Sequence, residues 1–201
     1  MHADGYTGYN SAVTDNAITE IACLAHIRRK FFDVHKATGS TLAQEALTQI
    51  AALYNIEKEI KGQPPNVRAQ ARADKAAPLL DQFEQWLTRT KDTISGKIPL
   101  AAAIRYAQKR LPKLRPYLDD GRTEIDNNAA ERAMRPIALG RKNYMFMGSD
   151  EGGKSAAILY TLIETAKMNG VDPQAWLTDV LKRIADHPMK TVSELAPWHF
   201  E

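Results

Sequence analysis

Apolar residues recur at three- and four-residue spacing along most of this chain, which is the pattern of α-helices with one buried face. In the middle of the chain three such stripes follow one another, separated by segments rich in proline and glycine. This alternation predicts a helical subdomain within residues 41–111, and we expect its last helix to stop at Pro112. The stripes are Leu42, Ala46, Ile50, Leu53 and Ile56, then Leu79, Leu80, Phe83, Trp86 and Leu87, then Leu100, Ala103, Ile104, Ala107 and Leu111.

Short apolar runs without helical spacing predict a small amount of β-structure on either side of this subdomain. Residues 18–25 are mostly apolar and contain neither glycine nor proline, so they predict a buried strand. Residues 143–147 predict a second short strand. Asp120-Gly121 lies between two short apolar arms and predicts a small hairpin.

Further helices are predicted on both sides of the subdomain. Residues 26–37, 155–168 and 174–185 each carry a helical stripe. An Asp or Asn of the run 126–128 is expected to cap another helix, which Pro136 would end. The overall pattern predicts a mainly α (α+β) fold.

Composition excludes several classes of protein. The chain has 201 residues, of which 44% are hydrophobic and 25% charged, and these values are close to the average for globular proteins. A disordered, collagenous or membrane-embedded chain is therefore not expected. The first residues contain no basic segment followed by an apolar one, and Cys23 has no second cysteine to pair with. Both features favour a cytoplasmic protein.

Positive charge is concentrated in one part of the chain. The net charge is +3, yet residues 105–142 alone contain ten basic and five acidic residues. A second basic cluster is Arg28-Arg29-Lys30. Concentrated positive charge suits a polyanion such as DNA, but a solvated helix face explains it equally well.

Residues 148–155 (GSDEGGKS) match the phosphate-binding pattern G-x-x-x-x-G-K-[ST]. A nucleotide-binding protein of this class also needs a parallel sheet and a second, metal-binding Asp at a strand end, and the residues after Ser155 predict helices instead. Asp150 and Glu151 would repel phosphate. We therefore expect no bound nucleotide and interpret the motif as a turn before a packed helix.

Three further features are candidates for metal chemistry. Cys23-x-x-His26 has half the spacing of a zinc site, but no second pair is present, so Cys23 is interpreted as a small buried residue at a strand end. Asp4 precedes a glycine turn, and Glu131 follows Asn128 at the spacing of a helix cap. Spacing alone does not decide whether Glu131 supports a cap or binds a metal.

Several blocks of the sequence together resemble one protein family. The stretch DNNAAERAMRPIALGRKNYMFMGSDEGGKSAAILYTLIETAKMNGVDP closely resembles the C-terminal catalytic segment of bacterial transposases of the insertion-sequence-sixty-six family. ADGYTGYN and CLAHIRRKFFD resemble two upstream blocks of that family, in the right order. The ending QAWLTDVLKRIADHP…LAPWHF resembles its C-terminus. Only the helical middle is weakly diagnostic.

This family is similar to other DDE transposases, and the resemblance implies a fold and a site. The fold would be a partial RNase H-like catalytic domain with a helical insertion subdomain, in which two Asp and one Glu hold two divalent cations, Mg²⁺ or Mn²⁺. Asp4 matches the second acid and Glu131 the third, and both would be catalytic metal ligands. Cys23 and His26 match a signature of several DDE transposases, and Asn127 and Asn128 belong to the block before Glu131.

The resemblance also sets the expected organisation of the chain. The first catalytic Asp of the family lies upstream of the Asp-Gly-Tyr block, which here begins after three residues. We therefore expect an N-terminally truncated transposase that is inactive alone. The expected segments are a remnant of the RNase H-like core (1–38), the helical insertion (39–116), the C-terminal part of the catalytic core (117–170), and a terminal helix and tail (171–201).

The partners implied are DNA, at the transposon ends, and a full-length transposase or a second copy of this chain. No membrane is expected to take part. The alternative function is a non-catalytic remnant that binds DNA or a transposase. The DNA-binding candidates are Arg28, Arg29, Lys30, Arg132, Arg135, Arg141 and Lys142.

Overall fold

The computed structural model of the chain describes residues 2–3, 18–140, 143 and 146–200. It divides into two compact units, Met1–Ala129 and Ala130–Glu201. Most of the described residues are helical, which confirms the mainly α prediction. Within the described residues, no helix combines the length and the apolar character needed to cross a bilayer.

The elements of the first unit follow one another from two short strands into helices. Helix α7 begins at the end of this unit and continues into the second. The elements are β1 (His2–Ala3), β2 (Ile21–Ala22), α1 (Leu24–Thr38), α2 (Thr41–Glu59), α3 (Pro65–Ala71), a π turn (Arg72–Ala76), α4 (Ala77–Thr93), α5 (Pro99–Leu114), α6 (Pro116–Asp119) and α7 (Asn128–Gly140).

The two strands of the first unit are parallel. His2 pairs with Ile21 and Ala3 with Ala22. The predicted strand at residues 18–25 is therefore shortened to Ile21–Ala22, because helix α1 already begins at Leu24. Parallel strands end at the same edge of a sheet, so Ala3 and Ala22 lie at one edge.

The core of the first unit is formed by the predicted stripes of α1, α2, α4 and α5. Helix α1 packs against α2 and α5, and α4 packs against both α2 and α5. The side chains of Phe31, Phe83, Ile50 and Ile104 are essentially inaccessible to solvent. Each apolar side chain of this size stabilises the fold by about 1.5–3 kcal/mol when it is fully buried. The helical periodicity of the sequence thus identified the core correctly.

A buried arginine joins the helices to the loop that follows them. Arg72 has no exposed surface. Its Nε and Nη2 donate to the two carboxylate oxygens of Glu57 at 2.8 and 2.7 Å. Its other three N–H groups donate to the carbonyls of Tyr117, Asp120 and Thr123 at 2.9–3.1 Å. All five guanidinium donors are therefore satisfied.

The π turn points Arg72 inward. Ala77 donates its backbone N–H to the carbonyl of Arg72, five residues back, so the helix is locally wider than an α-helix. Close to the same place, a Cβ on Gly121 would overlap the backbone of Pro65. Glycine is therefore required where the loop of residues 120–124 approaches the beginning of α3.

The second unit contains α8 (Asp150–Met168), α9 (Pro173–Arg183) and two 3₁₀ segments, Met189–Leu195 and Pro197–His199. Ser149 accepts the N–H of Gly152 at the start of α8, so this helix begins five residues earlier than predicted. Trp176 is buried, and its Nε1 donates to the carbonyl of Leu195 at 2.9 Å. This bond ties the C-terminal segment to α9.

Two prolines do not end helices as the sequence predicted. Helix α5 continues through Pro112 to Leu114, because Leu111 and Leu114 are buried in the core on either side of it. Helix α7 continues through Pro136 to Gly140, and its half-buried positions 133, 136, 137 and 140 keep helical spacing across the proline. Continued burial of one face offsets the loss of a single backbone hydrogen bond at each proline.

The predicted hairpin at Asp120-Gly121 is wrong. Residues 120–127 form turns without strand pairing, because the carbonyls of Asp120 and Thr123 bond to Arg72 instead of to a partner strand. The predicted strand at 143–147 lies partly outside the described residues, and the described positions 143, 146 and 147 are not in a strand.

We predict that Arg72→Met lowers the free energy of unfolding by about 3–5 kcal/mol, because it leaves the Glu57 carboxylate buried without its main partner. Urea denaturation followed by circular dichroism measures the change. Arg72→Met combined with Glu57→Gln should be more stable than Arg72→Met alone, because the second change removes the unpaired charge. A loss below about 1 kcal/mol for Arg72→Met would contradict this account of the core.

Candidate metal and nucleic-acid site

The segment before helix α7 is held at the end of strand β2. The backbone N–H of Leu24 donates to the carbonyl of Ile125 at 3.1 Å. The N–H of Asn127 donates to the Sγ of Cys23 at 3.3 Å. Ile125 is itself buried in the core of the first unit. Residues 125–127 are therefore fixed beside the point where the chain leaves β2 and enters α1.

Asp126 organises the beginning of helix α7. Its carboxylate accepts the backbone N–H of Asn128 at 3.0 Å and the Asn128 Nδ2 at 2.7 Å. It also accepts the hydroxyl of Tyr54, on helix α2, at 3.1 Å. Helix α7 starts at Asn128, so Asp126 accepts the first N–H of the helix, as the prediction of a capping Asp or Asn required.

Glu131 lies in the first turn of α7 and its side chain is exposed. Arg132 and Arg135 on the same helix are also exposed. Because Arg135 is four residues after Glu131, the two lie on the same side of the helix, as predicted. A carboxylate is favourable in this first turn because the backbone N–H groups carry partial positive charge there.

Three of the predicted site residues lie outside the described residues, namely Asp4, Arg141 and Lys142. The distance between the Asp4 and Glu131 carboxylates therefore stays a prediction. By its place in the sequence, Asp4 directly follows β1, just as Cys23 directly follows β2.

Cys23 is buried between β2 and α1, where the sequence placed it. Burial raises the pKa of its thiol above the ordinary value, more than the N–H of Asn127 lowers it. The neutral thiol is therefore favoured at neutral pH, and its sulfur accepts the N–H of Asn127. His26 lies in the first turn of α1.

Arg28, Arg29 and Lys30 are exposed on α1, as a nucleic-acid contact requires. The Arg28 guanidinium lies 5.8 Å from the ring centroid of Phe32. The Lys30 ammonium lies 5.5 Å from that of Tyr106 on α5. These cation–π contacts orient two of the three cations toward aromatic rings on the surface.

The phosphate-loop motif at 148–155 folds as the beginning of helix α8. Gly148 has a φ of 80°, and residues from Asp150 onward are already helical. Lys154 pairs with Glu151 at 2.6 Å. A phosphate loop would instead keep these residues in an open turn with their N–H groups pointing inward. The structure favours the interpretation of this motif as a turn before a helix.

Tyr54 and Asp126 were missed as site residues by the sequence analysis. Tyr54 lies beside the apolar stripe of α2, where a tyrosine is unremarkable. Asp126 is the first residue of the Asp-Asn-Asn run. This run was the one signal in the sequence for a second role of Asp126, because a single helix needs one capping residue and the run offers three.

Comparison with known sequences identifies the family. The family profile described as "Transposase IS66 family" matches residues 1–155. The profile described as "IS66 C-terminal element" matches residues 161–198. This chain belongs to the IS66 transposase family. The resemblance stated from the DNN-x-x-ER block and its neighbours is thereby confirmed.

Three relatives of this chain are the uncharacterized proteins y4jD, y4hP and y4qI of Sinorhizobium fredii. They are 41%, 39% and 39% identical to it, and each match covers 100% of this chain. The matches cover 41%, 39% and 39% of those proteins, so the chain spans about two fifths of their length. No solved structure matches the chain at a comparable significance.

We predict that this chain loses stability as the pH rises above about 9. Burial raises the pKa of Cys23 from 9.0 and is the main cause that raises the pKa values of Tyr54 and Tyr117 from 10.0. These groups stay neutral in the folded chain while they ionise in the unfolded chain. Their contribution is complete below the unfolded pKa and is lost above it, by up to about 1.4 kcal/mol per pH unit and group.

Urea denaturation at pH 8, 9, 10 and 11 measures this slope. The double variant Cys23→Ala, Tyr54→Phe should have a shallower slope over the same range, although it is less stable at pH 8. An equal slope in the variant and the unmodified chain would show that other groups control the alkaline transition.

Proposed function

We propose that this chain forms part of the RNase H-like catalytic domain of a DDE transposase, to which it contributes Asp4 and Glu131 as ligands of a divalent cation. The reaction would be cleavage and transfer of DNA strands. In it, an oxygen of water or of a 3′-hydroxyl forms a bond to phosphorus, and the existing bond from phosphorus to a 3′ oxygen breaks. Because the substrate is DNA, we place this function in the bacterial cytoplasm.

The observation that carries the proposal is the junction of β1, β2 and the segment before α7. The strands are parallel, and Ala3 pairs with Ala22. In the sequence, Asp4 follows Ala3 and Cys23 follows Ala22. Cys23 in turn accepts the N–H of Asn127, one residue before the helix of Glu131. Ligands at the carboxyl ends of adjacent parallel strands are a recurrent arrangement in α/β sites.

Glu131 fits a hard cation and Asp126 does not. Glu131 is exposed, and a carboxylate is the ligand type that Mg²⁺ and Mn²⁺ prefer. The Asp126 carboxylate is already engaged by Tyr54 and Asn128, so it supports the helix rather than a metal. When bound, two divalent cations activate the attacking oxygen and stabilise the leaving one.

The predicted basic residues would position the DNA. Arg132 and Arg135 are exposed on the helix of Glu131 and suit contacts to phosphate oxygens. Arg141 and Lys142 follow this helix in the sequence, and Arg28, Arg29 and Lys30 are on α1. Phosphate contacts of this kind fix the register of the DNA and carry no sequence information.

We predict that Glu131→Gln weakens Mn²⁺ binding to this chain at least tenfold, because it replaces a charged ligand with a neutral one. Titration followed by electron paramagnetic resonance of free Mn²⁺ measures the affinity. Glu151→Gln is the matched control, since Glu151 is also an exposed acid in the first turn of a helix. Equal affinities for the two variants would remove Glu131 from the proposed metal site.

A second candidate function is a non-catalytic module that binds DNA or associates with a longer transposase or a second copy of this chain. This candidate is supported by the resemblance, which implies three catalytic acids, of which two match residues of this chain, namely Asp4 and Glu131. Exposed Arg28 and Arg29 favour binding of DNA in either case.

We predict that the 201-residue chain binds duplex DNA in EDTA, with an affinity that falls steeply with salt, and does not nick supercoiled plasmid in Mg²⁺ or Mn²⁺. Two acids hold a cation pair poorly, whereas phosphate contacts need no metal. Fluorescence anisotropy and agarose gels measure the two properties. Metal-dependent nicking that Glu131→Gln abolishes would establish catalysis by this chain and refute the second candidate.

A further inference from the structure

The solvent-facing side of helix α5 carries a row of cations. Arg105, Lys109 and Lys113 are spaced four residues apart, so they lie along one side of the helix. Arg105 and Lys109 are exposed, and the Lys113 side chain is 44% exposed. The helix Pro99–Leu114 contains no Asp or Glu. We call Arg105, Lys109 and Lys113 the α5 basic face.

The fold compensates this charge only in part. Glu20 accepts from Lys113 and from the neighbouring Arg110. Arg105 donates to the carbonyl of Gly96, which carries no net charge. Among residues 18–140, no carboxylate pairs with Arg105 or Lys109. Like charges four residues apart disfavour a helix, so the row is not explained by the stability of α5.

Acidic residues of the same unit are concentrated on other helices. Helix α2 carries Glu45, Glu57 and Glu59, and α4 carries Asp81, Glu84 and Asp92. The Arg72–Glu57 pair and the Arg115 pairs with Asp81 and Glu84 use several of these acids internally. The charge of the first unit is therefore segregated, with α1 and α5 as its basic helices.

The α5 basic face is continuous with the basic cluster of α1. Tyr106 lies between the two helices, and its ring centroid is 5.5 Å from the Lys30 ammonium and 5.6 Å from the Arg110 guanidinium carbon. Helices α1 and α5 pack directly against each other. A polyanion lying along α5 would therefore also reach Lys30.

We propose that the α5 basic face binds the phosphate backbone of duplex DNA, as a contact contributed by the helical part of the chain in addition to those proposed for Arg132 and Arg135. This inference rests on the proposed function, because the DNA would be that of the transposition reaction. From Arg105 to Lys113 the helix rises about 12 Å, which corresponds to about three to four phosphates along one strand. No acidic residue of α5 would repel it.

The test is the binding of a random-sequence 30-base-pair duplex to the full 201-residue chain, by fluorescence anisotropy in EDTA at several salt concentrations. Arg105→Gln with Lys109→Gln should weaken binding about tenfold or more at 0.1 M salt. It should also reduce the slope of log K against log salt by about two, one for each phosphate that the variant no longer neutralises. Arg105→Lys with Lys109→Arg keeps the charges and should bind within about twofold of the unmodified chain.

The matched control is Lys58→Gln with Lys61→Gln, which removes the same charge at exposed positions at the end of α2. This control should change the affinity less than about twofold. An Arg105→Gln, Lys109→Gln variant that binds like the control would overturn the inference. If Arg132→Gln with Arg135→Gln still weakened binding in that case, the proposed function would stand without this surface.

Two other outcomes would also overturn the inference. The first is the absence of DNA binding by the unmodified chain at low salt, which would count against the proposed DNA contacts as well. The second is competition by poly-glutamate as effective as that by duplex DNA at equal charge, which would assign the α5 basic face to an acidic polypeptide. Melting curves by circular dichroism establish that each variant is folded.

Discussion

The guanidinium of Arg72 connects helix α2 to the loop that follows helix α6, and the candidate site depends on this connection. It is fully buried, and each of its five N–H groups has an acceptor, two of them on Glu57 and three on the carbonyls of residues 117, 120 and 123. A buried charge is tolerated only when it is paired and hydrogen-bonded in this way. The helical subdomain therefore determines the course of the loop that leads to Asp126 and the helix of Glu131.

A few polar contacts fix the residues between this loop and the start of helix α7. Leu24 and Cys23, at the end of β2, hold Ile125 and Asn127, and Tyr54 on α2 holds Asp126. The start of helix α7 is thus fixed by a strand end and by a core helix at the same time. The helical middle of this chain therefore supports the segment that leads into the helix of Glu131.

The sequence predicted the helices well and these polar contacts poorly, and the reason is physical. A stripe such as Leu42, Ala46 and Ile50 reports the burial of one helix face, which depends on local spacing alone. The Arg72–Glu57 pair and the Tyr54–Asp126 bond join residues 15 and 72 positions apart, and no local pattern reports them. The helix ends predicted at Pro112 and Pro136 were wrong, because the burial of residues on both sides of each proline outweighed the local tendency of proline to end a helix. The prediction that Glu131 is a site residue came from the resemblance, since its spacing from Asn128 fitted a cap as well.

The π turn at Arg72–Ala76 has a consequence for how this part of the chain can vary in length. An extra residue is accommodated in that turn, as the bond from Ala77 to the carbonyl of Arg72 shows. Loss of one codon there would restore regular α geometry and leave the helical residues on either side in register, because the π turn already contains the additional residue. A deletion within a regular stretch of α2 or α4 would instead rotate the residues on one side of it by about 100° around the helix axis. Changes of one residue in length are therefore expected in the π turn and in exposed turns such as residues 95–98, and not within α2 or α4.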